Sequence, residues 1–287
     1  MEDTFKSINF EPRYFSEVAN WHGHMPFAYD LMGELKPKLM VELGTHYGDS
    51  YFTFCQARKE LELETACYAV DTWEGDEQAG NYDKSVFETV QRVNADHYAE
   101  FSYLVRSTFA DALSQFEEDT IDLLHIDGFH SYDAVAEDFH SWFPKVRENG
   151  IVLLHDVKER QSGFGVWKLW EELGDRYPNF LFEHGHGLGV LQKAESNGEP
   201  LQVGRLELRP DDPLIRKRYL LLQEKFHWKR QAQAHRTEAD EWKEKADDLE
   251  EALNQAETNL AKTVKQLQRI KGSLSWKLTS PLRIFRK

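Results

Sequence analysis

The sequence predicts an α/β protein, a mostly parallel doubly wound sheet with a long helix appended at its C-terminal end. Three observations predict it. Short apolar runs at 39–43, 66–71, 101–106, 121–127 and 151–154 alternate with segments of helical spacing. The ends of these runs carry polar residues, as expected where parallel strands deliver side chains to one sheet edge. From about Pro213 the pattern changes to a heptad-like one.

Residues 1–38 precede the sheet and read as an N-terminal cap. Trp21-His-Gly-His-Met-Pro-Phe27 is rich in aromatics and histidine, and 28–35 have helical spacing. His22 reads as packing against the sheet edge. His24 reads either that way or as a cap or base reaching into a site.

The first strand opens Leu39-Met-Val-Glu-Leu-Gly-Thr-His-Tyr-Gly48, and a helix follows over 50–59. Glycine lets the chain turn sharply and approach a ligand, and a helix start presents unpaired N–H groups. The spacing is Glu42-x-Gly44-x-x-x-Gly48, which is not the dinucleotide G-x-G-x-x-G, and the phosphate-loop lysine is absent.

The second strand, 66–71, ends in Asp71, where an acid in a doubly wound fold bonds the ribose of an adenosine cofactor. Thr72 and Trp73 continue toward the same pocket, and 76–98 read as a loop and helix able to act as a lid. After the third strand, Ser107 is placed to meet the adenine or to cap the helix 110–116. The fourth strand runs into Asp127, Gly128 and His130, and Ser131 can cap a helix with Val135, Phe139, Trp142 and Phe143 on one face. The fifth ends in His155-Asp156. A helix over 164–173 and a hairpin, 180–182 with 187–191, close the sheet.

Residues 196–212 read as a linker, within which 201–212 can add a short strand. Over 228–274, steps of four and three place Trp228, Ala232, His235, Ala239, Trp242, Ala246, Leu249, Leu253, Ala256, Leu260, Thr263, Leu267, Ile270 and Leu274 on one seam. A lone polar helix would leave that seam bare. The expectation is a coiled-coil helix over 213–270 joining a homo-oligomer, against a single solvated helix or one folded back on the domain. The segment 271–287 is basic, with interleaved Trp276, Leu278, Leu282, Ile284 and Phe285, and suits a peripheral contact with an anionic membrane surface, a partner protein, or a frayed tail.

Composition sets the outer bounds. The chain has 287 residues, a formal net charge of −15, 40% hydrophobic and 30% charged residues. That excludes a general nucleic-acid binder and suits a globular protein with a polar extension. Cys55 and Cys67 make neither a disulfide framework nor a cysteine zinc site. With no signal-peptide pattern and no spanning run, the expected location is cytoplasmic, with a peripheral position at the inner face of the membrane open.

Taken together, Val41-Glu-Leu-Gly-Thr-His-Tyr-Gly48, Ala69-Val-Asp-Thr-Trp-Glu-Gly-Asp76, Leu123-Leu-His-Ile-Asp-Gly128 with His130 and Tyr132, Leu154-His-Asp156 and Phe164-Gly-Val-Trp167 resemble bacterial class I S-adenosylmethionine (SAM) methyltransferase domains of the kind associated with cell-surface polysaccharide synthesis and its glycosyltransferases. The similarity covers 14–193. It implies a Rossmann-like seven-stranded sheet over 39–195 and SAM held at Glu42, Gly44, Gly48 and Asp71. Thr45, Thr72, Trp73 and Ser107 complete the candidate cofactor contacts. Related O-methyltransferases hold Mg²⁺ with acids at the fourth and fifth strand ends, where this chain has His155 at the first of the latter pair. The tail Ser275-Trp-Lys-Leu-Thr-Ser-Pro-Leu-Arg283 also looks like the ends of polysaccharide-assembly proteins.

Methyl transfer to a hydroxyl needs alignment and removal of a proton, by a base or through a metal. The candidate catalytic residues are His130, Asp127 and His24. Asp127, His155 and Asp156 are the candidate ligands of Mg²⁺ or Mn²⁺. The function expected is O-methylation of a sugar or glycan hydroxyl. The alternatives are a non-catalytic scaffold of a glycosyltransferase complex and, with the wrong glycine spacing, an NAD-dependent sugar oxidoreductase.

Overall fold

The computed structural model describes residues 5–76, 80–161, 163–196, 200–210, 212–234 and 239–272. In chain order the elements are α1 (Met25–Leu35), β1 (Leu39–Leu43), α2 (Asp49–Glu60), β2 (Ala66–Asp71), β3 (Gly75–Asp76), β4 (Gly80–Asn81), α3 (Lys84–His97), β5 (Ser102–Arg106), α4 (Phe109–Ala112), β6 (Ile121–Ile126), α5 (Tyr132–Trp142), β7 (Val146–His155), α6 (Val166–Gly174), β8 (Asn179–Phe182), β9 (Leu188–Gln192), β10 (Leu201–Val203), β11 (Leu206–Leu208), α7 (Pro213–Ala234) and α8 (Ala239–Gly272).

The main sheet has seven strands in the order β5-β2-β1-β6-β7-β9-β8. Its first five are parallel, and β9 runs antiparallel to both β7 and β8. The order reverses between β1 and β6, so the crevice beyond their carboxyl ends is the place where such a sheet binds ligands.

Alternation sorts the two faces. Val41, Leu43, Leu124, Ile126, Val152 and Leu154 pack with Val135, Phe139 and Trp142 of α5 and Leu169 and Leu173 of α6 in one apolar core. The predicted stripe on α5 is thus its buried face, and Ser131 caps it by accepting from the Ala134 N–H at 3.3 Å. The opposite parity carries Met40, Glu42, Leu123, His125, Leu153 and His155, all buried. Three of these six are ionisable, which sheet burial alone does not favour. Cys55 and Cys67 are buried free thiols.

The residues expected to link two domains fold instead. β10 and β11 pair as a hairpin with Leu201, Val203, Leu206 and Leu208 buried, and Arg205 is bonded to Glu34 of α1 at 2.6 Å. Alternating leucines that sequence composition masks as linker give this hairpin a core face, so the compact unit runs from residue 5 to 212.

Residues 213–272 form a second unit. In place of the predicted continuous helix over 213–270 the described residues form two helices, α7 and α8, with 235–238 outside the described residues. α7 and α8 pair as an antiparallel hairpin, joined by Arg218–Glu257 at 2.9 Å and Lys225–Glu250 at 3.8 Å, with the Lys245 amine 4.4 Å from the Trp228 ring centroid. The seam therefore finds its partner within the chain: Ala246 and Leu253 are buried, while Val264, Leu267 and Ile270 toward the end are exposed. Of the basic tail, 273–287 lie outside the described residues. No helix among the described residues is long and apolar enough to cross a membrane.

Candidate active site

A cavity of about 580 Å³ opens beyond the carboxyl ends of β1, β2, β6 and β7, within the range of about 300–1,000 Å³ usual for ligand pockets. Gly44, Thr45, Asp71, Thr72, Asp127, His130, His155 and Asp156 line it, so the structure brings together most of the predicted residues.

The β1–α2 turn forms one side. Gly44 has φ +85°, and a Cβ there would lie 2.1 Å from the Asp127 carbonyl oxygen. Glycine is required because two strand-end loops touch, before any ligand is considered. At Gly48, φ +88°, a Cβ would meet the Phe52 ring at 2.7 Å. Asp71 holds the turn: one carboxylate oxygen accepts from the Thr45 and His46 N–H groups at 2.8 and 2.9 Å, the other from the Trp73 N–H at 2.7 Å. The acid expected to bind ribose is thus first a clamp on the β1–α2 turn, with Oδ2 fully used and one acceptor site remaining on Oδ1. His46, Trp73 and Asp156 all have positive φ, and such strain in non-glycine residues gathers at functional sites.

Five predicted residues stand outside the lining, Gly48 in the turn itself and four others. Trp73 is buried behind the turn, donating its indole N–H to the His46 carbonyl at 2.9 Å and packing on Phe87. Ser107 gives its N–H to the Asp71 carbonyl, and its neighbour Thr108 both lines the cavity and caps α4 through Asp111. Glu42 is fully buried beneath the lining: its Oε2 is 2.8 Å from His125 Nδ1 and its Oε1 has no partner. Burial pushes its carboxyl pKa up against the hydrogen bond from His125. His24, a candidate base, is also fully buried and away from the lining. Its Nε2 is 3.1 Å from the Gly185 carbonyl, its ring stacks on His184, and burial beside His155 and His184 lowers its pKa well below the usual value.

The opposite wall is an acid–histidine array. His130 Nε2 lies 2.8 Å from Asp156 and 3.8 Å from Asp127, its ring stacked on Phe164. Burial favours the neutral ring, but the hydrogen bonds and charges of Asp127 and Asp156 prevail and push its pKa up to about 9. For Asp156 burial is outweighed by the charge of His155, with the hydrogen bond from His130 after it, and its pKa is lowered to about 2. His155 points Nδ1 at Asp127 (3.2 Å) and Nε2 at the Gly185 carbonyl (3.0 Å). Its ring is thereby committed on both sides. Among the described residues, the ligand atoms of Asp127, His130 and Asp156 lie within 4.8 Å of one another, and His155 Nδ1 also lies 3.2 Å from Asp127 and 3.5 Å from Asp156.

The N-terminal segment supplies a wall that the sequence did not disclose. Val18, Asn20 and Trp21 line the cavity. Asp49, in the first turn of α2, holds this segment by accepting from the Ser16 N–H and hydroxyl and by pairing with His22 at 2.9 Å. An acid in a helix's first turn was the available signal; its distant partners were not visible in the sequence.

Residues 41–157 match the family model described as a methyltransferase domain. An uncharacterized protein of Sinorhizobium fredii is 46% identical over 181 residues, 63% of this chain and 20% of that protein. The matched region thus spans about a fifth of the length of that curated relative. Among solved structures, the SAH-bound methyltransferase PaMTH1 of Podospora anserina is 13% identical, covers 61% of this chain and 78% of its own, and has a TM-score of 0.46. The O-methyltransferase TomG of Streptomyces achromogenes, solved with SAM, is 14% identical with a TM-score of 0.45, covering 62% of this chain and 81% of its own. Residues 41–157 are therefore similar to a methyltransferase domain, and they lie in a sheet of seven strands in the order β5-β2-β1-β6-β7-β9-β8.

Proposed function

We propose that the chain binds SAM in this cavity and methylates a hydroxyl of a sugar or glycan. The observation that carries the reading is the β1–α2 turn, clamped by Asp71 with the Thr45 hydroxyl buried beside it and unpartnered. An unsatisfied buried polar atom at a cavity is where a ligand's polar group fits. When bound, SAM supplies an electrophilic methyl carbon on a sulfonium. Asp71 brings negative charge to that side, while Asn20, Glu159, Gln161 and His186 give the cavity a polar surface suited to a polyhydroxyl acceptor. In differential scanning fluorimetry, SAM and S-adenosylhomocysteine are expected to raise the unfolding temperature and NAD to leave it unchanged. Transfer of methyl from SAM to nucleotide-linked sugars is the matching activity assay. Stabilisation by NAD alone would end the reading.

A ring held protonated up to about pH 9 is a poor base at neutral pH, so His130 does not serve as one while it sits between Asp127 and Asp156. The two carboxylates, and the imidazole once a bound cation has displaced its proton, instead form a donor set that suits a divalent cation of the Mn²⁺ type. Bound there, such an ion supplies positive charge that acidifies a coordinated hydroxyl. Millimolar Mn²⁺ is expected to raise the unfolding temperature of the wild type and not of Asp156→Ala. His155→Asn should keep the response, and its loss there would restore His155 as the ligand.

Self-association belongs to the same proposal. Because α7 already covers part of the seam, contact between copies would use the exposed Val264, Leu267 and Ile270 rather than all of 228–274. A glycosyltransferase partner and a membrane contact by 271–287 remain proposals drawn from the resemblance and from the charge of the tail.

A further inference from the structure

Glu42 and His125 are register partners on the adjacent parallel strands β1 and β6, and both are fully buried. Trp21, from the segment ahead of α1, donates its indole N–H to His125 Nε2 at 3.2 Å. Tryptophan is a donor only, so this contact makes Nε2 the acceptor and leaves the ring proton on Nδ1. Nδ1 then donates to Glu42 Oε2 at 2.8 Å. The chain of bonds ends at Glu42 Oε1, which is buried without a partner. Ser50, whose hydroxyl favours the charged form of Glu42, lines the cavity, and so does the Trp21 ring.

Each link spends what it has on the next. Trp21 uses its single donor, His125 both ring nitrogens and Glu42 one oxygen. Glu42 Oε1 and the Thr45 hydroxyl are both buried without a partner, and Ser50, the hydroxyl beside Glu42, lines the cavity. Leaving a buried carboxylate oxygen unsatisfied costs more than most proteins tolerate without a ligand to answer it.

We infer that Trp21 and His125 are positioning residues that fix the Glu42 carboxylate so that Oε1 is kept for a cationic group of the bound ligand, the amino-acid end of the methyl donor. This rests on the SAM reading above. It gives the N-terminal segment two roles. The ring of its tryptophan walls the cavity, and the indole N–H of the same residue sets the orientation of an acid beneath the floor. A ligand with an ammonium tail feels the relay, and one without does not.

Two ligands separate the relay from everything else Trp21 does. S-Adenosylhomocysteine carries the amino-acid end, and 5′-methylthioadenosine is the same thioether nucleoside without it. Isothermal titration of the full chain with each is the experiment. Trp21→Phe keeps a ring on the wall and removes the donor. It is expected to weaken S-adenosylhomocysteine about fivefold to tenfold, the size of one buried hydrogen bond, and to leave methylthioadenosine unchanged. His125→Leu should do the same or more. His125→Asn, which keeps a donor near the Nδ1 position, should recover part of the loss. Equal weakening of both ligands by Trp21→Phe would reduce its role to packing, and no change in either would remove the relay. Methylthioadenosine binding also reports that each variant is folded. If the wild type binds neither nucleoside, the SAM reading itself fails and this inference falls with it. Tight binding of both with no mutational split sinks the relay alone.

Discussion

Gly44→Ala is expected to destabilise the protein by about 4 kcal/mol, because a Cβ at φ +85° is strained and a clash with backbone is not relieved by a rotamer change. The added carbon would lie 2.1 Å from the Asp127 carbonyl oxygen and 2.6 Å from its carbon. Relief needs the β1 and β6 end loops to part, and Asp127 would move with them. Gly80 is the control. It has a comparable φ of +79° and nothing within 4 Å of its would-be Cβ. Gly80→Ala should therefore cost only the backbone strain, about 1 kcal/mol. Urea denaturation of the two variants reads the difference. Equal losses would mean that the turn conformation alone, and not the loop contact, demands glycine at Gly44.

Asp71→Ala is the second. Its carboxylate accepts from three backbone N–H groups, on Thr45, His46 and Trp73. Hydrogen bonds to a charged group are worth about 1.5–3 kcal/mol each, and the freed donors regain water only in part. The ligand-free protein is expected to lose about 3 kcal/mol of stability, and S-adenosylhomocysteine affinity about 100-fold as the turn loses its shape, with the loop's disorder added to the cost of binding. A residue that acted only on a ribose would lose affinity at unchanged ligand-free stability. Thermal denaturation without ligand separates the two cases. Asp71→Asn, with one carbonyl oxygen for two sets of donors, should fall between.

These two residues show how differently a motif can be legible. The glycine and the acid were found by position along the strands, and the structure places both at the cavity. What each touches was not readable. Gly44 meets a loop more than eighty residues away in sequence, and Asp71 turns back onto a neighbouring strand's turn. Trp73 and Ser107 were chosen because strand ends face a crevice, yet a one-residue change along a turn moves a side chain out of it. Thr108, next to Ser107, occupies the lining instead. His24 was drawn in by its aromatic setting, and that same setting turns out to be a buried stack with His184.

The helical extension repeats the lesson at larger scale. Heptad spacing records which residues seek an apolar partner. It does not record whether the partner is another copy or the same chain returning, and here α7 and α8 answer each other through Arg218–Glu257 and Lys225–Glu250. The sequence offered a short strand within 201–212 but not the pairing of β10 with β11, because three-residue strands are too short to show a period.

Local pattern was enough to set the α/β class, the alternation of strands and helices, the turn at Gly44 and Gly48, and the acids and histidines gathered at one sheet edge. All of these are written in periodicity and in residue type at strand ends, which act over a few positions. Three outcomes came only with the closed fold: that His130 and His155 both face Asp127 and Asp156, that Asp71 grips the β1–α2 turn, and that Glu42 reaches the N-terminal segment through His125. They depend on strand register and on rings turned by partners up to 104 residues apart in sequence, and on distances fixed only when the sheet closes.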